Sequence, residues 1–184
     1  MSRPKPGLRF ACVFALTGVG PLIACTAGGI DTTPPPGGAD ATAIDCTLSE
    51  AASVTVGGGT EQTGYVEMAD GGEMTAVLGP QGLYMVTPSI RTHGLYPGNA
   101  GRAGHADDPE VQIEIMLTGS LVGGSATEHL GLTPTASGDE RLGIFTPFTG
   151  DISQYVGQNV TLRASVSDAC GNDSSDELRI IVRQ

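Results

Sequence analysis

EVQIEIML, residues 110–117, is the stretch that decides the fold. Val111, Ile113, Ile115 and Leu117 fall on one side of an extended chain, and Gln112 and Glu114 on the other. A period of two held over eight residues marks a β-strand with one buried and one solvated face. NVTLRASVS at 159–167 repeats it, with Val160, Leu162, Ala164 and Val166 inward and Thr161, Arg163 and Ser165 outward. ELRIIVR at 177–183 does so a third time through Leu178, Ile180 and Val182. Clean alternation of this kind belongs to antiparallel sheets that keep one face in water.

Outward from these segments, weaker strand candidates lie at 43–48, 52–56, 63–69, 73–78, 82–91 and 141–146. Together they predict about nine short strands between residues 42 and 184, and no window carries a sustained helical apolar period. Composition agrees with that reading. The 184 residues suit one domain, 39% apolar content can build a core, and 28 Gly with 12 Pro supply turns. Collagen is excluded because the glycines lack a three-residue period, and full disorder because a core is available. The expected fold is all-β, a single antiparallel β-sandwich at 42–184.

Residues 1–41 read differently. Arg3, Lys5 and Arg9 form a basic start with no acid before Asp31, followed by a short apolar run from Phe10 to Leu22. That is the plan of a secretory signal, and the run is too short and too broken by Gly18, Gly20 and Pro21 for a membrane span. The run ends in LIAC, Leu22, Ile23, Ala24 and Cys25, which resembles the lipobox of bacterial lipoproteins. The resemblance implies cleavage after residue 24 and acylation of Cys25, which would become the first residue of an exported protein held on a membrane. Several acyl chains, at about 0.8 kcal/mol per buried methylene, make a durable anchor. Thr26 stands where an Asp commonly retains such proteins at the inner membrane, so the resemblance implies an outer membrane. Residues 26–41, TAGGIDTTPPPGGADA, can pack nothing and read as a flexible, disordered tether spanning roughly 20–25 Å.

The leader also carries three of the nine basic residues, so without it six basic residues face 20 acidic ones, a net charge of −14. Such a surface repels phosphate backbones and disfavours nucleic acid as a partner. On the lipobox resemblance, Cys12 leaves with the signal and Cys25 carries lipid, which leaves Cys46 and Cys170. An oxidising compartment would join them, and Cys46 shares the inward parity of Ile44 and Leu48.

The tail DISQYVGQNVTLRASVSDACGNDSSDELRIIV is similar to the last two strands of immunoglobulin-like or related jelly-roll sandwiches in secreted bacterial proteins. The resemblance rests on Tyr155 and Gly157 before the penultimate strand and on the turn residues Asp168, Gly171 and Asn172. It implies a tyrosine corner at Tyr155 and a short turn capped by Asp151, without the core Trp and the inter-sheet cysteine pair of antibody domains.

Two regions could carry chemistry. The long Gly-rich connection at 92–109 holds His93, His105, Asp107, Asp108 and Arg102; His105, Asp107 and Asp108 offer nitrogen and oxygen ligands for a divalent metal. The last hairpin gathers Asp168, Asn172, Asp173, Asp176 and Glu177, oxygens that a calcium ion could use in part, although their spacing is not that of an EF-hand. GGG at 57–59 precedes no helix that would present amides to phosphate, and His129 reads as an exposed loop residue. No hydrolase, zincin or Walker motif occurs. The expected function is therefore a non-catalytic structural or binding module at the envelope. It would need no cofactor and would meet a protein or glycan partner through an edge strand or the 92–109 loop. The alternative is a calcium- or transition-metal-dependent binding or enzymatic domain built on the two acidic regions.

Overall fold

A computed structural model describes residues 44–48, 50–99 and 104–184; the leader, Cys25 and the tether lie outside the described residues. The front sheet is built on the three segments with the clearest alternation. β7 (Glu110–Leu117) and β13 (Asn159–Ser167) keep the bounds their sequence predicts, and β14 (Asp173–Arg183) begins four residues earlier than expected. β13 lies between the other two, with Leu162 opposite both Ile115 and Leu178. β8 (Ser120–Gly124) extends the sheet beyond β7, which also pairs with β9 (Glu128–His129), and β3 (Gly72–Thr75) closes the far edge on β14.

The back sheet runs β10 (Thr133–Thr135), β11 (Gly138–Arg141), β6 (Ser89–His93), β1 (Ser53–Thr60) and β2 (Gly64–Glu67). A small third sheet joins β12 (Thr146–Pro147), β5 (Tyr84–Val86) and β4 (Val77–Leu78). The orders β10-β11-β6-β1 and β8-β7-β13-β14 are the D-E-B-A and C′-C-F-G orders of an immunoglobulin-type sandwich. One cluster fills the space between: Val54, Val56 and Ile90 from the back sheet and Ile113, Ile115, Leu162 and Ile180 from the front are all buried. Among the described residues the single departure from antiparallel pairing is β3 beside β14, with Gly72 opposite Ile180. The chain crosses from the back sheet to the front between β2 and β3, which brings β3 alongside β14.

The tail is assembled as its resemblance implies. Asp151 caps the single 3₁₀ turn, Ile152–Gln154, by accepting the Ser153 N–H at 2.9 Å. The Tyr155 hydroxyl donates to the Thr149 carbonyl at 2.6 Å, a tyrosine corner, and the Tyr155 ring stacks on Phe148 with centroids 4.9 Å apart. No described helix is long and apolar enough to cross a membrane.

Three local expectations are corrected. Residues 44–48 form no strand, and Cys46 is exposed instead of facing inward. It is nonetheless joined to Cys170, with 5.6 Å between the Cα atoms. The acidic run after Asn172 is strand and not turn: Asp176 faces inward and accepts the Val56 N–H of β1 at 2.9 Å. That donor lies one residue past the point where β2 stops pairing, at Gly57 opposite Glu67, so a carboxylate from the other sheet completes the bond.

The three glycines at 57–59 belong to β1 and serve as a floor. A Cβ on Gly57 would stand 2.7 Å from Cζ of Tyr65, and one on Gly58 would stand 3.1 Å from the Met68 sulfur. Tyr65 lies over this floor, with its hydroxyl donating to the Thr55 carbonyl at 3.4 Å and the Arg91 guanidinium 4.2 Å from its ring centroid. Arg91 in turn makes a two-pronged bond to Oε1 of Glu140, at 2.8 and 3.1 Å. Burial pushes the Tyr65 phenol up to about 12, against the opposing pull of Arg91. The raised value favours the protonated phenol in the fold. Its stabilising effect is complete below about pH 10, where an unfolded tyrosine titrates, and is lost as pH climbs through 12. Alkaline titration followed by phenolate absorbance should show a step near pH 12 that Tyr65→Phe abolishes; a Tyr65 step near pH 10 would contradict this packing.

Candidate functional site

The two regions singled out in the sequence meet at one carboxylate. Asp168 opens the β13–β14 turn, which closes by an Asp168 N–H to Asn172 carbonyl bond of 2.9 Å. Its Oδ1 accepts the backbone N–H groups of Cys170 and Asn172 at 2.9 and 2.8 Å. Its Oδ2 accepts the Asn172 side-chain amide at 3.0 Å and, from the 92–109 connection, the Tyr96 N–H at 2.7 Å. Burial alone would raise this carboxyl, but the four hydrogen bonds, led by that of the Asn172 side chain, outweigh it and hold the group below the usual aspartate range.

The described parts of the long connection, 92–99 and 104–109, are pinned at several points. Leu95 is buried in the core, and the Pro97 carbonyl accepts the Leu132 N–H at 2.8 Å. Near its other end Asp108 is 2% exposed, with Oδ1 accepting the Asn99 N–H at 2.7 Å and Oδ2 the His105 N–H at 3.1 Å. Gly98 permits this closure: its φ is +69°, and a Cβ there would come within 2.6 Å of the Asp108 carboxylate. His129 is not a loop residue. It stands in β9 opposite Glu110, with Nδ1 2.9 Å from the Asp108 carbonyl oxygen, which requires the proton on Nδ1. Its Nε2 lies 3.6 Å from Glu110 Oε1.

The candidate metal ligands are therefore dispersed in role. His105 and Asp107 stand 3.4 Å apart, Nδ1 to Oδ2, and are both partly exposed. Asp108 and Asp168 spend their oxygens on N–H donors, and a ring of such donors is suited to a negative charge, not to a competing cation. Asp173 is exposed on β14 opposite Ser167, with Glu110 across the same strand. Among the described residues no three His, Cys, Asp or Glu side chains are grouped to hold a metal ion. The three histidines face carboxylates, His93 toward Glu50 at 3.8 Å, and His129 also a carbonyl.

Concave surface lies elsewhere. A shallow polar groove of about 440 Å³ crosses β7, β13 and β14, lined by Glu110, Gln112, Ser165, Ser167, Asp173 and Ser175. Two further clefts flank Phe145, of about 340 Å³ on the side of Leu83 and Met85 and about 200 Å³ on the side of Ile144 and Arg141. Sequence reasoning placed Phe145 in the strand candidate 141–146; the structure corrects this, leaving 142–145 between β11 and β12 with Phe145 exposed between buried Ile144 and Thr146. Comparison of the chain with protein-family models, curated proteins and solved structures finds no match.

Asp168→Asn replaces an acceptor-only group with an amide that cannot satisfy the same donors. We expect a loss of about 2–3 kcal/mol near neutral pH by denaturant unfolding, since bonds to a charged acceptor are worth more than neutral ones. Because the folded carboxyl titrates below its unfolded value, its contribution is present above about pH 4 and fades as pH falls through the folded value. The gap between wild type and variant should close in acid; a gap independent of pH would contradict this role.

Proposed function

We propose that the chain is an exported, lipid-anchored module that binds a protein or glycan partner at the cell envelope. The observation that carries the reading is the basic leader ending in LIAC at Leu22–Cys25, followed by a segment with nothing to pack. The Cys46–Cys170 bond supports it, because disulfides persist in oxidising, exported compartments. A sandwich closed in this way presents loops and open strand edges on a rigid frame, which suits recognition. The binding role is supported further by how the reactive groups are used: Asp108 and Asp168 hold backbone amides, Glu140 holds Arg91, and the histidine rings face carboxylates and a carbonyl. A net charge of −14 on the processed chain argues against nucleic acid as the partner. On the lipobox resemblance, Thr26 after the cysteine points to an outer membrane.

Mass analysis of the mature amino-terminal peptide tests the anchor. The wild-type chain should carry acyl mass on Cys25 and partition into detergent. Cys25→Ala should lose that mass and either fractionate as soluble or remain unprocessed; unchanged mass and retention would overturn the reading.

A further inference from the structure

Beyond the leader segment the chain spends its aromatic residues sparingly. It has no Trp, and of its four Phe only Phe145 and Phe148 belong to the sandwich. Phe148 is 2% exposed and stacked on Tyr155, whereas Phe145 is 65% exposed. The backbone holds it outward. Ile144 and Thr146 on either side are buried, the Ile144 N–H donates to the Pro88 carbonyl at 2.8 Å, and Thr146 pairs with Val86. The ring is thus presented from a connection held on both sides, between β11 and β12, with little ordering left to be lost on contact.

Its surroundings are shaped for an apolar anchor. The larger cleft is walled by Phe145, Leu83, Met85 and Pro147, and Leu83 is itself 44% exposed. Isolated exposed apolar residues mean little, but an aromatic shared by two adjoining clefts is the composition of a recognition hot spot. Glu128 lines both clefts and is the only charged residue of the larger one.

Charge then narrows the occupant. Among the described residues Arg91, Arg163, Arg179 and Arg183 are committed to ion pairs with Glu140, Glu177, Asp70 and Glu73. Arg141, on the smaller cleft, reaches the Gly131 carbonyl at 3.5 Å. The smaller cleft thus holds one charge of each sign, Glu128 stands alone in the larger one, and the net field of the domain is acidic, so a second copy of this chain would be repelled and a basic surface attracted. We infer that the clefts on either side of Phe145 dock a segment of a partner protein that places an apolar side chain against Phe145 and a lysine or arginine against Glu128. The inference rests on the binding-module reading and names its surface.

The test is photo-cross-linking in intact cells producing the full chain, with a benzophenone amino acid at position 145 and, as control, at exposed Val66 on β2. The expected result is an adduct at 145 but not at 66, whose cross-linked partner segment carries a lysine or arginine close to an apolar residue. Glu128→Lys should lower its yield at least tenfold, and Glu128→Gln should lower it less. Both positions are exposed, and an unchanged thermal melt verifies that the variants fold. No adduct at 145, equal adducts at both positions, insensitivity to Glu128→Lys, or an adduct to lipid, glycan, a second copy of this chain or a cation-free segment would each overturn the inference. The same cells report the mass of the amino-terminal peptide. A lipidated chain without an adduct would sink the docking surface alone, and an adduct on an unlipidated chain the anchor alone.

Discussion

The architecture depends on one inward row, Val160, Leu162, Ala164 and Val166 of β13. All four are buried, and their strand is the only one in the front sheet paired along nearly its whole length on both sides. Burying each large member of such a row contributes about 1.5–3 kcal/mol, and a slip of one residue would turn the whole set to water. The register of β7 and β14 follows from that penalty, and the position of β1, whose Val56 meets the inward face of β14 through Asp176, follows from theirs. The tyrosine corner and the capped 3₁₀ turn fix how the chain enters β13, and Asp168 fixes how it leaves.

Where a segment had one wet and one dry face, sequence reading recovered it, as β7 and β13 show. It failed where tertiary contacts replaced that simple division. The start of β14 looked like an acidic turn because Asp176 is polar and inward, a combination that makes sense only once the unpaired Val56 N–H is seen. Gly57 and Gly58 looked like a break between strands because glycine carries no alternation; their role is to leave room for Tyr65 and Met68, which lie elsewhere in the chain. Residues 44–48 alternate in sequence yet form no strand, and what holds Cys46 is a covalent bond, not a ladder.

The site was legible in part. The 92–109 connection and the last hairpin were read as two separate candidate regions, and the Tyr96 N–H to Asp168 bond joins them. A list of carboxylates does not reveal which oxygens are already taken by amides. Asp107 and Asp108 illustrate this: adjacent in sequence, one is half in water and the other is enclosed by Asn99 and His105. Phe145 was hidden for the opposite reason, since in a strand candidate a phenylalanine reads as core by default.

The disulfide has a mechanical meaning as well as a thermodynamic one. Cys46 and Cys170 close a covalent ring over a sequence separation of 124 residues, so tension applied to the amino-terminal side enters the domain at the β13–β14 turn and bypasses β1. β14, which follows Cys170, is locked between β13 and β3. Tension between the segment before Cys46 and the end of β14 would therefore load that one strand and leave the ring unstretched.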